Sequence, residues 1–255
     1  MNEVLNLLNN YLGILFVLLC LGLIIFYLFS PQIREKINLR GIQAFSRFHR
    51  EVDLAVEAGK RLHISLGRGN INDLQGGSAF IGLTILDRCA RDASNSDRPP
   101  VTTSGDGVIT ILSQDTLQST YRSLAAEQRY DPANARLTGL TPLAYAAGTI
   151  PAIRDEYVSA NIYAGHFGAE IALLTEAGER SQSLTVAGSD SIPGQAVLYA
   201  TTDEPLLGEE LYAAGAYLGA GAAHTASIGM QDIVRWVLVI AIVIGAIFKL
   251  LGIGS

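Results

Sequence analysis

Leu62-His63-Ile64-Ser65-Leu66 is a short β-prone run that ends on Gly67, and the arrangement recurs along the chain. Val101-Thr102-Thr103 leads into Ser104-Gly105, Arg136-Leu137-Thr138 into Gly139, Asn161-Ile162-Tyr163-Ala164 into Gly165, and Leu184-Thr185-Val186-Ala187 into Gly188. Each is followed by a stretch of helical character. Five β-then-α units predict an α/β fold: a parallel sheet of about five strands with covering helices, Rossmann-like or flavodoxin-like. Their spacing, roughly 23 to 38 residues, suits βαβ crossovers.

The stretches between are helical in detail. Phe80, Leu83, Ile85, Leu86 and Cys89 make one apolar stripe over residues 79–91. Asp115 or Ser113 can cap a helix over 116–128, and Thr141 followed by Pro142 is a good start for one over 143–153. Residues 94–100 (SNSDRPP) and Asp131-Pro132-Ala133-Asn134 read as surface loops that do not divide the domain.

Outward from this region the chain becomes amphipathic and then apolar. Ile42, Phe45, Phe48, Val52 and Val56 recur every three to four positions, predicting a helix within 32–59 that continues from the membrane. It can lie on lipid, pack on the domain or pair with a neighbour's copy; packing is favoured, since only part of its polar face is basic. At the other end, residues 206–223 are rich in Ala and Gly, and Gly215 and Gly219, four apart, predict a helix face that another backbone can approach, either the domain's own sheet or a second subunit.

The chain ends carry the apolar segments. Tyr11–Phe29 is long enough to cross a hydrocarbon core of about 30 Å, and Glu3 with the exit Ser30-Pro31-Gln32 argues against a cleaved signal peptide. A second segment, 237–253, follows Arg235-Trp236 at an expected interface, and its Lys249 sits near the far end where the ammonium can snorkel. Arg34, Lys36, Arg40, Arg47, Arg50, Lys60 and Arg61 all follow the first segment, so the positive-inside rule predicts a cytoplasmic domain with both termini outside the inner membrane. The predicted layout is a tail and transmembrane helix (1–30), a juxtamembrane amphipathic helix (31–60), a cytoplasmic α/β domain (61–230) and a second transmembrane helix (235–253).

Cys20, inside the first span, and Cys89, inside a predicted helix, make no disulfide framework and fit a reducing compartment. A net charge of -6 argues against nucleic acid as a partner, because a phosphate-binding surface needs clustered Lys and Arg.

In open parallel sheets, ligands sit outside the carboxyl ends of the strands. The residues predicted there are small or polar: Gly67-Arg68-Gly69-Asn70, Thr103-Ser104-Gly105-Asp106, Thr138-Gly139, Gly165-His166-Phe167-Gly168 and Gly188-Ser189-Asp190. Their amides and hydroxyls could hold a phosphate or another anion, although strand-to-helix turns use the same residues for geometry and capping alone. No turn completes a P-loop, and Gly67-x-Gly69 lacks the third glycine of a dinucleotide fingerprint. His166 near Glu170, with Asp190 or Asp106 from neighbouring turns, is the one acid and base cluster that can be assembled, and a structural role for that histidine is the commoner case. There is no Gly-x-Ser-x-Gly, no His-Glu-x-x-His and no Cys/His spacing for a metal, so neither a catalytic set nor a cofactor is predicted.

A set of phrases after residue 137 resembles a known pattern: Ala144-Tyr145-Ala146-Ala147-Gly148-Thr149, Gly165-His166-Phe167-Gly168-Ala169-Glu170, Glu176-Ala177-Gly178-Glu179-Arg180, Gln195-Ala196-Val197-Leu198-Tyr199-Ala200 and His224-Thr225-Ala226-Ser227, with Gln231-Asp232-Ile233-Val234-Arg235-Trp236 before the last apolar segment. These resemble an uncharacterised bacterial family of membrane-associated proteins, known only as a domain of unknown function. The resemblance implies no activity, cofactor or catalytic residue.

The leading expectation is therefore a membrane-anchored, self-associating scaffold, with membrane lipid and its own copies as partners. A ligand-binding or enzymatic α/β domain using the strand-end turns for a nucleotide or other anion is the second expectation. An accessory subunit of a larger membrane complex is the third.

Overall fold

In a computed structural model of the protein, residues 2–34, 37, 39–72, 76–96, 98–202 and 204–250 are described, with side chains except at 2–10 and 95. Lys36, Asp97 and the last three residues of the second apolar segment lie outside the described residues. The chain divides into two compact units, Met1–Arg40 together with Gly221–Ser255, and Gly41–Ala220.

The first unit contains α1 (Asn2–Phe29), the single turn α2 (Pro31–Arg34) and α10 (Ala222–Leu250). At 28 and 29 residues, α1 and α10 exceed the roughly 20 that a hydrocarbon core requires, and both are apolar enough to cross a membrane. They pack against each other. Gly229 marks a close approach, since a Cβ there would lie 2.8 Å from Ile37 Cδ1 and 3.1 Å from the Tyr27 ring.

The second unit is built on six parallel strands: β1 (Arg61–Gly67), β2 (Val101–Ser104), β3 (Ala135–Leu137), β4 (Val158–His166), β5 (Leu184–Ser189) and β6 (Glu204–Leu206). Their order is β3-β2-β1-β4-β5-β6, so the α/β parallel sheet is as expected, with one strand more. β6 is short and carries Pro205, which an edge position tolerates because no ladder donor is needed there. The helices are α3 (Gln43–Glu57), α4 (Gly76–Asp92), α5 (Gly107–Ser123), α6 (Pro142–Asp155), α7 (Ile171–Arg180), α8 (Ile192–Thr201) and α9 (Glu209–Tyr217).

Alternation along the strands sorts the helices into two layers. Leu62 and Ile64 of β1, in register with Ala160 and Ile162 of β4, share a buried cluster with Leu66, Ala164 and residues of α3, α4, α5 and α9. The intervening His63, Ser65, Asn161 and Tyr163 turn to the opposite face, where α6, α7 and α8 build the second cluster around Tyr145, Phe167, Ile171, Leu174 and Leu198.

Three local expectations change. The amphipathic helix does not continue from the membrane segment: α3 starts at Gln43 after an extended Ile42, and it buries Ala44, Phe45, Phe48, Val52 and Ala55 against the domain. α5 starts nine residues earlier than 116, because Asp106 rather than Asp115 or Ser113 is the cap, accepting from Val108 N at 2.9 Å and Ile109 N at 3.0 Å. The small-residue helix over 206–223 is split, since Gly208, Gly219 and Gly221 all have positive φ and separate β6, α9 and α10.

The chain enters and leaves this unit at neighbouring points. Phe45, in the first turn of α3, stacks on Tyr217, the last residue of α9, with centroids 4.6 Å apart and planes 9° from parallel. Arg47 Nε lies 3.3 Å from Glu204 Oε1, which places this corner beside the amino end of β6. The carboxyl ends of the six strands lead into α4 to α9 through six loops.

Candidate functional site

The strand order reverses between β1 and β4, and in doubly wound sheets that switch point opens the crevice where ligands bind. β1 ends on Gly67, whose φ of +69° turns the chain where a Cβ would collide with the His166 backbone, so no other residue fits comfortably. The next residue, Arg68, donates its backbone N–H to His166 O at 2.9 Å, and Gly105 N donates to Gly67 O at 2.8 Å. Thr138 N donates to Ser104 O at 3.0 Å. The carboxyl-end loops of β1, β2, β3 and β4 are thereby laced together beyond the last ladder bonds.

Two polar groupings stand at the crevice. In the first, Arg68 Nε donates to Glu170 Oε1 at 2.9 Å, and the same oxygen accepts from Gly168 N at 3.0 Å. Burial works to raise the Glu170 carboxyl, but the Gly168 and Glu170 amides and the Arg68 guanidinium outweigh it and hold it below the usual carboxylate range. In the second, His166 Nδ1 meets Asp190 Oδ1 at 2.7 Å, and Ser78 in the first turn of α4 donates to Asp190 Oδ2 at 2.8 Å. A carboxylate on Nδ1 fixes the tautomer that carries its proton there, which leaves the Nε2 lone pair to accept from a ligand. Tyr212 of α9 stands close by, its hydroxyl pKa raised by burial and by the Asp190 charge.

The other expected site residues sit as follows. Ser189 is fully buried and binds Phe167 on both sides, accepting from its N at 3.1 Å and donating to its O at 2.9 Å. Asp106 caps α5, Ser104 bonds Thr110 at 2.6 Å, and Thr138 bonds Thr149 at 2.9 Å. Gly105, Gly139 and Gly188 are packing positions against Arg68, the Ala144 and Tyr145 backbone, and Leu206, while Gly69 is buried. Thr103 faces inward to His63. Gly215 is buried within α9 and Gly219 lies beyond its end, so the two do not share a helix face. The structure thus brings His166 and Asp190 together, gives Glu170 to Arg68, and keeps Asp106 for capping.

Beneath the crevice lies a buried polar network that separate sequence positions do not announce. His63 bonds Asn161 Oδ1 through Nδ1 and Thr103 Oγ1 through Nε2, each at 2.9 Å, and Asn161 Nδ2 donates to Ser183 Oγ at 2.6 Å. Burial drives the His63 pKa down to about 4, against an Asn161 hydrogen bond that works to raise it, so the ring is neutral at physiological pH. The Ser65 hydroxyl bonds the Tyr145 hydroxyl, and Tyr163 donates to Leu174 O at 3.1 Å. Signals for this layer were present in the sequence as polar residues at every second position of the first and fourth strands. Among the described residues, no group of three His, Cys, Asp or Glu is placed to hold a metal ion.

A family model described as Domain of unknown function (DUF6754) matches residues 3–254. No curated protein and no solved structure matches the chain.

Proposed function

The chain belongs to the family described as Domain of unknown function (DUF6754), and we propose that it is a membrane-anchored protein whose α/β domain binds a small phosphate-bearing ligand, such as a nucleotide, at the β1/β4 switch point. The observation that carries the reading is the reversal of strand order at the place where Arg68, Ser78, His166, Glu170 and Asp190 converge. Arg68 supplies the positive charge, and its bond to Glu170 is the one a ligand anion exchanges. His166 Nε2 accepts from a ligand hydroxyl or amide. The Asp190 carboxylate, from the turn after β5, takes the hydroxyl of Ser78 in the first turn of α4, near where a ligand phosphate sits in folds of this order, so binding there moves the carboxylate aside or places the phosphate on the Arg68 side.

The domain lies in the cytoplasm in this reading, since the basic residues cluster after α1, and α1 and α10 both span the inner membrane. Full-length protein in lipid nanodiscs, screened by thermal shift against nucleotides, dinucleotide coenzymes and phosphorylated metabolites, tests the site. A hit whose affinity falls about tenfold or more in Arg68→Ala is the expected result. A broad panel with no shift at millimolar ligand sinks the reading.

A second reading, in which the domain self-associates or docks another subunit, is favoured by a different observation. Val108 and Ile111 on α5 and Leu137, Leu140 and Leu143 at the end of β3 and start of α6 are all at least 49% exposed, an apolar corner at the sheet edge that water covers poorly. Mass photometry of the extracted particle tests it: oligomers that Leu140→Ser with Leu143→Ser dissolves support it, and a strictly monomeric wild type with no second protein in fixed ratio refutes it.

A further inference from the structure

At the amino ends of β1 and β3, opposite the switch point, three arginines line one cavity, and two of them share one carboxylate. Arg61 and Arg136 each place Nη1 on a different oxygen of Glu156, so a single acid is shared by two guanidinium groups. Arg61 Nη2 donates to Asn134 Oδ1 at 3.0 Å, and Arg136 Nε donates to Ala133 O at 2.8 Å. Arg98 comes from the loop before β2, with its guanidinium carbon 4.8 Å from the centre of the Tyr157 ring. Arg61, Arg98, Arg136, Asp155, Glu156 and Tyr157 line one open cavity of about 440 Å³.

The balance of charge and donors is unequal. Among the described residues that line the cavity, three guanidinium groups face two carboxylates, and Glu156 is already shared by two of them. Two further details mark the place as shaped for more than its own ion pairs. Arg61 Nε is buried and has no hydrogen-bond partner among the described residues. Tyr157 adopts a φ of +58°, a conformation that side-chain-bearing residues avoid, yet its ring is 72% exposed and contributes no core packing to offset that strain. The residue follows the C-cap Glu156 of α6, where a left-handed conformation ends the helix, and it holds the ring under Arg98 at the cavity mouth.

We propose that this cavity binds a phosphate group, carried either by a soluble phosphate ester or by a phospholipid headgroup. Arg98 and the outer nitrogen of Arg136 present their N–H groups to the oxygens, in the forked geometry that suits phosphate better than a lysine would. A charge excess of one matches a singly charged phosphate. The Tyr157 ring offers a flat apolar face to the rest of the ligand. The site is separate from the switch point and does not depend on it.

The test uses full-length protein in two settings. In phospholipid-free detergent micelles, inorganic phosphate is titrated against chloride at matched ionic strength and followed by calorimetry. In nanodiscs, the same titration is run with zwitterionic lipid and with added phosphatidylglycerol. With Arg68→Ala as the background, which removes phosphate binding at the switch point, saturable phosphate binding that weakens about tenfold on adding Arg98→Gln is the expected result. Weaker apparent phosphate affinity in the phosphatidylglycerol discs than in the zwitterionic ones identifies a lipid headgroup as the occupant, and equal affinity identifies a soluble phosphate. The Arg98 guanidinium lies over the exposed Tyr157 ring at the cavity mouth and the residue is itself exposed, so Arg98→Gln is expected to keep the fold, checked by an unchanged melting temperature, and Tyr157→Phe serves as a control that keeps the ring and retains binding. No saturation beyond chloride, or wild-type affinity in both Arg98→Gln and Arg136→Gln, overturns the proposal.

Discussion

The two faces of the central sheet are made from the same strands and obey different rules. Towards α3, α4, α5 and α9, β1 and β4 show Leu62, Ile64, Leu66, Ala160, Ile162 and Ala164, all at most 3% exposed. Towards α6, α7 and α8 they show His63, Ser65, Asn161 and Tyr163, which are equally buried. The first face is held by shape and the removal of apolar surface from water. The second is held by a chain of hydrogen bonds, Thr103 to His63 to Asn161 to Ser183, in which each member satisfies its neighbour. The polar face thereby fixes register: a one-residue slip of β1 would drive His63 into the apolar layer and leave Asn161 facing a hydrocarbon side chain. The apolar face supplies most of the stability, and the polar face makes the alignment of the strands unique.

The comparison breaks hardest on the apolar side. Ile64→Ala opens a cavity in a fully buried position and is expected to cost about 2 to 5 kcal/mol, read as a fall in the urea midpoint of full-length protein in detergent. A loss under 1 kcal/mol would mean that the layer is loosely packed.

The polar side breaks with pH instead. The folded His63 pKa of about 4 lies below the ordinary 6.5, so the unfolded chain takes up this proton first. The stability it confers is complete above about pH 6.5 and is lost as pH falls towards 4, by up to about 3 kcal/mol. His63→Gln, which has no charge to gain, should flatten that part of the stability profile; a variant with the same slope as wild type would place the acid sensitivity elsewhere. The smallest effect belongs to Ser65→Ala, which removes one hydroxyl partner of Tyr145 and should cost roughly 0.5 to 1.5 kcal/mol in the same denaturation assay. A neutral outcome would show that water or another hydroxyl replaces it.

Much of this architecture could be read from the sequence, and the exceptions have physical reasons. The five β-prone runs all become strands, the short edge strand β3 among them, and their glycines and hydroxyl residues mark their ends. β6 escaped because Glu204-Pro205-Leu206 has neither length nor strand propensity, and only its position at the edge makes it a strand. The start of α5 was hidden by Val108-Ile109-Thr110-Ile111, a β-branched run that the Asp106 cap and packing on α4 make helical. At the crevice, His166 and Asp190 come from adjacent carboxyl-end turns, so their meeting follows from the strand pattern. Arg68 and Glu170 are 102 residues apart, and the Arg61, Arg98 and Arg136 grouping draws on three separate elements. Contacts of that kind depend on strand order, which periodicity does not encode.

The stack of Phe45 on Tyr217 has a consequence for how such a protein arises. A folding unit whose two ends meet across one pair of rings can be inserted into the turn of a helical hairpin without prying its helices apart, and removed again just as cleanly. Seen at the level of the gene, the helical pair and the sheet are a frame and a cassette. The sequence of the frame stops at Arg40 and resumes at Gly221, and those two junctions are where chimeras with different cassettes should be cut.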